Sequence, residues 1–238
     1  MKDYWVLLGS FGSGKSELAI NLALQAVKKG PCTLVDLDVI NAYFRSSERG
    51  DVLGAAGVEL ISPPFALDKI EILALSARVY SAFTPGEGTV IFDIGGDDIG
   101  SVALGQYKQH FNNLPADRLN IPFIVNPLRP MAADVPSALR SLAAIQESGR
   151  LLADSIINNG NLAGMTDVSH LVQGYELVKG LSEQTGLPVR ATVGTKGILD
   201  EFERYAEAHG LEQRYIGALW PIEIQMHRSW DKYLAEGL

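Results

Sequence analysis

Tyr4-Trp5-Val6-Leu7-Leu8-Gly9-Ser10-Phe11-Gly12-Ser13-Gly14-Lys15-Ser16-Glu17 is the stretch that decides the fold of this chain. An apolar, β-prone run enters a Gly-x-x-x-x-Gly-Lys-Ser segment, and Glu17 to Lys29 beyond it has helical composition. Strand, glycine-rich loop and helix in that order are the setting a phosphate-binding loop requires. Glycines at 9, 12 and 14 permit a tight turn in which the backbone N–H groups, including those of Ser10, Phe11 and Ser13, converge on phosphate oxygens. The helix that begins near Lys15 aims its positive dipole end at the same point. Lys15 is expected to reach the β- and γ-phosphates, and the Ser16 hydroxyl to ligate Mg²⁺. The chain is therefore expected to bind a nucleoside triphosphate or a close relative.

Composition narrows the setting. The chain has 238 residues, 47% hydrophobic and 20% charged, which suits one α/β domain over residues 1–238 with a substantial core. A net charge of -8 disfavours general nucleic-acid binding or attachment to anionic membranes. The single cysteine, Cys32, excludes an internal disulfide, fits a reducing cytosol and is expected to pack at a strand start. The N-terminus leads straight into the first strand, and no apolar run is long enough to span a bilayer. A cytoplasmic protein is expected.

Outward from the loop, strands and helices alternate. Strands are expected at Cys32–Asp36, Val58–Ile61, Thr89–Asp93, Ile121–Asn126, Asp154–Asn158, Leu187–Val193 and Tyr215–Trp220. Helices are expected at Leu67–Phe83, Ser101–Phe111, from the N-cap Asp134 to Gln146 with Pro136 in its first turn, and Ile198–Ala208. That alternation predicts a three-layer, doubly wound, mostly parallel sheet, with ligands at the carboxyl ends of its strands.

The polar residues at those strand ends are the second tier of candidates. Asp93 closes an apolar strand, which places a carboxylate beside Mg²⁺ directly or through water. Gly95-Gly96 follows as a turn able to respond to a γ-phosphate. Asp36 and Asp38 flank the end of the second strand, and alternation puts both on one side. One of them, Asp36, is a candidate for the metal's hydration shell. The other, Asp38, is a candidate for orienting water, and a carboxylate capping the next loop is the alternative for either. Arg45 is a candidate cation for phosphate charge. Asn158 and Asn159 suit a purine edge, because an amide both donates and accepts, although turn asparagines would look the same. No Asn-Lys-x-Asp guanine clamp occurs, so adenine is favoured. The histidines show no metal or triad spacing.

With Gly9–Ser16, Asp36-Leu37-Asp38 and Asp93-Ile94-Gly95-Gly96 in this order, the chain resembles the ParA/MinD/CobQ branch of SIMIBI-class P-loop nucleotide-binding proteins. The resemblance implies Mg-ATP as ligand, Asp38 as the switch I acid and Asp93 as the Walker B acid, with catalytic roles for Lys15 and Asp38. Members of that branch position plasmids or division machinery, insert metals, or act as ligases and reductases. Ser10 stands where ParA/MinD members carry a signature lysine that reaches across a nucleotide-sandwich dimer, and Phe11 replaces a glycine. The expected function is a slow Mg-dependent ATPase switch that cycles between ATP and ADP, with a protein partner and a possible homodimer. A small-molecule phosphotransferase or ligase, or a nucleotide-loaded scaffold, are the alternatives.

Overall fold

The structure, a computed structural model, describes residues 1–38, 46–62, 77–96, 102 and 104–226. Its spine is a parallel sheet. Strands β1 (Lys2–Leu7), β2 (Cys32–Asp36), β3 (Glu59–Ile61), β4 (Gly88–Asp93) and β5 (Leu119–Asn120) form one ladder in the order β3-β2-β4-β1-β5. Strands β6 (Pro122–Val125), β7 (Ser155–Asn158), β8 (Val189–Gly194) and β9 (Ala218–Pro221) form a second, in sequence order. The two are stitched together where Leu8 N–H donates to the Pro122 carbonyl at 3.0 Å and Ile124 N–H to the Leu8 carbonyl at 2.8 Å. β6, which pairs with β7, lies within the expected Ile121–Asn126 strand, while β5, just ahead of it and paired with β1, was not expected.

Strand alternation fills two cores. Val6, Val90, Phe92, Phe123, Val125 and Ile156 face one side, and Leu7, Leu34, Ile91, Ile124 and Ile157 face the other. The first side is covered by α4 (Val135–Gly149), α5 (Val168–Thr185) and α6 (Lys196–His209), and by α3 (Lys108–Asn112) through Phe111. The second is covered by α1 (Lys15–Ala26) and α2 (Gly50–Ala55). Helices on both faces of a parallel sheet give the expected three layers.

Local signals place the ends of elements. Asp134 caps α4 by accepting from Ser137 N–H at 2.8 Å, with the Ser137 side chain returning the bond and Pro136 in the first turn. Cys32 is buried at the start of β2, where desolvation pushes its thiol up to about 12, so it packs as an apolar residue. Boundaries moved elsewhere. β8 begins at Val189 because Pro188 has no N–H to give a ladder. A 3₁₀ turn at Gln213–Tyr215 delays β9 to Ala218. The helix expected over Ser101–Phe111 is interrupted by a turn at residues 106–107 before α3, and of Leu67–Phe83 the described helical part is residues 77–82. No described helix is long and apolar enough to cross a membrane.

After β9 the chain lies along α1. Asn21 and Glu223 exchange bonds at 2.9 Å, and the Glu17 carboxylate accepts from Gln225 and Met226 N–H at 2.7 and 3.1 Å. Glu17, next to Ser16, is therefore a structural carboxylate.

Candidate nucleotide site

The loop between β1 and α1 is a tight turn, with Ser13 N–H bonded to the Ser10 carbonyl at 3.1 Å. Gly14 is the N-cap of α1 in a left-handed conformation, φ 89°. A Cβ there would stand 2.2 Å from Asn159 Nδ2, so the position excludes a side chain twice, by backbone and by space. The Lys15 ammonium folds back over the loop, donating to the Gly9 carbonyl at 2.8 Å and the Ser10 carbonyl at 3.1 Å. That cation, almost wholly buried, sits at the N-terminal end of α1, where the helix dipole also attracts anions.

Beneath the loop lie two carboxylates. β2 and β4 pair so that Asp36 is in register with Asp93, and both are fully buried. Partners on adjacent parallel strands project to the same face, so the two acids crowd each other. Asp93 is accordingly pushed up to about 7, first by desolvation and next by the Asp36 charge. The hydroxyls of Ser16 and Ser46 and the Lys15 charge act in the opposite direction. None of them closes a bond of hydrogen-bonding geometry on Asp93, whose two carboxyl oxygens are buried without a partner. Asp36 also accepts the Asp38 N–H at 3.0 Å, forming an Asx turn at the end of β2. Asp38 is buried and is the last described residue before the segment that holds Arg45, which lies outside the described residues.

The loop after β4 touches the phosphate loop directly. A Cβ on Gly96 would lie 2.5 Å from Phe11 N and 2.6 Å from its Cα, so only glycine lets the two backbones meet. Phe11 itself is 61% exposed at the loop's tip.

The asparagines at the end of β7 divide their work. The Asn158 amide is fully buried, donating to the Leu171 carbonyl at 3.1 Å and accepting from Gly160 N–H at 3.1 Å, and it fastens the strand to α5. Asn159 turns the other way and donates to the Ser13 carbonyl at 2.7 Å, bracing the phosphate loop across the sheet. Its Oδ1 is buried without a partner. Asn161, missed in the sequence, has its Nδ2 3.6 Å from where a Gly14 Cβ would stand.

Buried polar atoms are almost always paired, so orphans call for explanation. Among the described residues they are the Ser13 and Ser46 hydroxyls, both Asp93 oxygens, Asn159 Oδ1 and Arg49 Nε. All except Arg49 belong to the loop, to the acid beneath it or to residues acting on them. A group of three or more His, Cys, Asp or Glu able to hold a metal without other help does not occur among the described residues. Elsewhere among the described residues, one cleft lies between α6 and the β9 edge, lined by Glu203, Leu211 and Leu219, and another is lined by Trp5, Leu22 and Trp220.

No family model and no curated protein matches the sequence. Solved structures match the fold. The cell division protein FtsY of Thermotoga maritima superposes with a TM-score of 0.51 at 16% identity, over 81% of this chain and 61% of that one. The signal recognition particle receptor FtsY of Elizabethkingia anophelis, in complex with GDP, gives 0.51 at 15% identity, over 81% and 57%. A nucleotide-binding protein of Archaeoglobus fulgidus in complex with ADP gives 0.46 at 15% identity, over 90% of both chains. The chain thus spans about three-fifths of the length of the FtsY chains it overlays. What the likeness shows is the fold, an α/β architecture of parallel sheet between layers of helices.

Proposed function

We propose that this chain binds a magnesium nucleoside triphosphate at Gly9–Ser16 and serves as a slow, partner-responsive NTP-hydrolysing switch, with ATP the favoured nucleotide. The observation that carries the reading is the gathering of unpartnered buried polar atoms around one lysine-bearing loop at a helix N-terminus. A polyanion could accept from the serine hydroxyls and a hydrated divalent cation could meet the Asp93 oxygens, while Asn159 Oδ1, an acceptor, would need a donor. In this reading the loop amides of Gly9 to Gly14 cradle phosphate, and Lys15 exchanges the Gly9 and Ser10 carbonyls for phosphate oxygens. The Ser16 hydroxyl and the unpaired Asp93 oxygens fit a hydrated Mg²⁺, with Asp36 behind them. Such an ion, when bound, neutralises charge on the phosphate oxygens. Asp38 is assigned to holding the attacking water. Hydrolysis joins that water's oxygen to Pγ, breaks the bond from Pγ to the bridging oxygen, leaves its electron pair on the diphosphate and releases a proton. Adenine is favoured for want of a guanine clamp, with Asn161 a further amide beside the loop.

The absence of a lysine at Ser10 sets this chain apart from ParA/MinD-type dimer activation and favours a switch that waits for a protein partner. The test is turnover per subunit over a hundredfold range of protein concentration. A slow rate independent of concentration supports the reading. A steep rise with concentration would mean activation by self-association and would contradict it.

A further inference from the structure

Arg129 is brought to the phosphate loop from 117 residues away. It follows β6 in the segment Asn126-Pro127-Leu128-Arg129-Pro130, which is held stiffly. The buried Asn126 accepts Leu128 N–H at 3.1 Å on its side chain and Arg129 N–H at 3.1 Å on its carbonyl. It also donates to the Asn161 carbonyl at 2.9 Å, and two prolines limit the backbone further. From this platform Arg129 Nε donates to the Gly12 carbonyl at 3.1 Å. The side chain's stem fills the space a residue at Gly12 would need, since a Cβ there would be 3.1 Å from Nε and 3.2 Å from Cδ.

One N–H of the five on the guanidinium is used in that bond. Among the described residues no carboxylate forms an ion pair with Arg129 and no other hydrogen bond engages it. The result is a fixed, partly exposed, permanently charged fork whose terminal donors are uncommitted at the lip of an anion-binding turn. A lysine at Ser10 would have placed a cation on this loop from within it, and Arg129 puts one there from β6.

We propose that Arg129 is the chain's own reader of the terminal phosphate, a specificity residue that favours nucleoside triphosphate over diphosphate in cis. The inference rests on the nucleotide-site reading above. Its test is calorimetric titration of the full chain with Mg²⁺ and either the β,γ-imido analogue of ATP or ADP, repeated with the guanine pair, for wild type, Arg129→Ala and Arg129→Lys. Arg129→Ala should weaken the triphosphate analogue about tenfold to a hundredfold, the loss of one charge-assisted contact, while diphosphate affinity stays close to wild type. Arg129→Lys, a point charge without the fork, should restore part of the preference. Equal weakening toward triphosphate and diphosphate would show Arg129 merely bracing Gly12 and overturn the inference, as would an unchanged preference. Failure of wild type to bind any of the four nucleotides would overturn the site reading itself, a different outcome from a wild type that binds while Arg129→Ala leaves the preference intact.

Discussion

Replacing Asp93 with asparagine is expected to stabilise the ligand-free protein at pH 8 while weakening its Mg²⁺ dependence. Asp93 is buried beside Asp36 and its carboxyl is raised from 3.8 to about 7, mainly by desolvation and then by its neighbour's charge. The sign follows from linkage. Below about pH 4 the acid is protonated in both folded and unfolded chains and costs nothing. Between about 4 and 7 the unfolded chain gives up its proton while the folded chain retains it, so stability falls as pH rises through this window. Above 7 the full cost, on the order of a few kcal/mol, is in place. The amide introduced by Asp93→Asn has nothing to ionise and can donate toward Asp36, so the variant should lose that slope. For a chain of this size each 1 kcal/mol corresponds to roughly 2–4 °C in Tm, which makes the gain at pH 8 readable by thermal melts at pH 5 and pH 8. A pH slope in Asp93→Asn as steep as in wild type would refute the crowded pair. The same substitution should weaken the Mg²⁺ dependence of nucleotide affinity, because an uncharged amide is a poor substitute for a carboxylate beside a hydrated divalent ion.

Lys15→Ala should cost triphosphate binding about tenfold to a hundredfold or more, since an ammonium on phosphate oxygens is a charge-assisted contact of about 1.5–3 kcal/mol. In the structure the same ammonium bridges the Gly9 and Ser10 carbonyls and lowers Asp93 toward its charged form. The variant therefore leaves two loop carbonyls without this donor, and a thermal melt alongside calorimetry separates loss of fold from loss of ligand. A folded Lys15→Ala with unchanged affinity would remove Lys15 from the site.

How far the sequence announces all this depends on separation along the chain. The phosphate loop is readable because its strand, glycines, lysine and helix are contiguous, and the Asp134 cap because its partner Ser137 is three residues on. Strands ending in aspartate show up as apolar runs, which is why Asp36 and Asp93 are visible. Their register, which turns two ordinary acids into a repelling pair, is a property of β2 lying against β4. The Asn158-Asn159 dipeptide reads the same from either residue, yet at a strand end consecutive side chains go opposite ways. One is consumed under α5 and the other meets a loop 146 residues earlier. Arg129 carries no local signal at all, because its significance is the glycine it rests on. Arg45, the cation the sequence offers instead, lies outside the described residues.

The proposed function requires the loop at Gly9–Ser16 to hold a magnesium nucleoside triphosphate. Calorimetric titration of the full chain with ATP and with GTP, each with and without Mg²⁺, tests it most directly. The expected result is one site per chain, tighter with Mg²⁺ than without and tighter for ATP than for GTP. Absence of heat and of any thermal stabilisation with either nucleotide, from a chain shown to be folded, would contradict it.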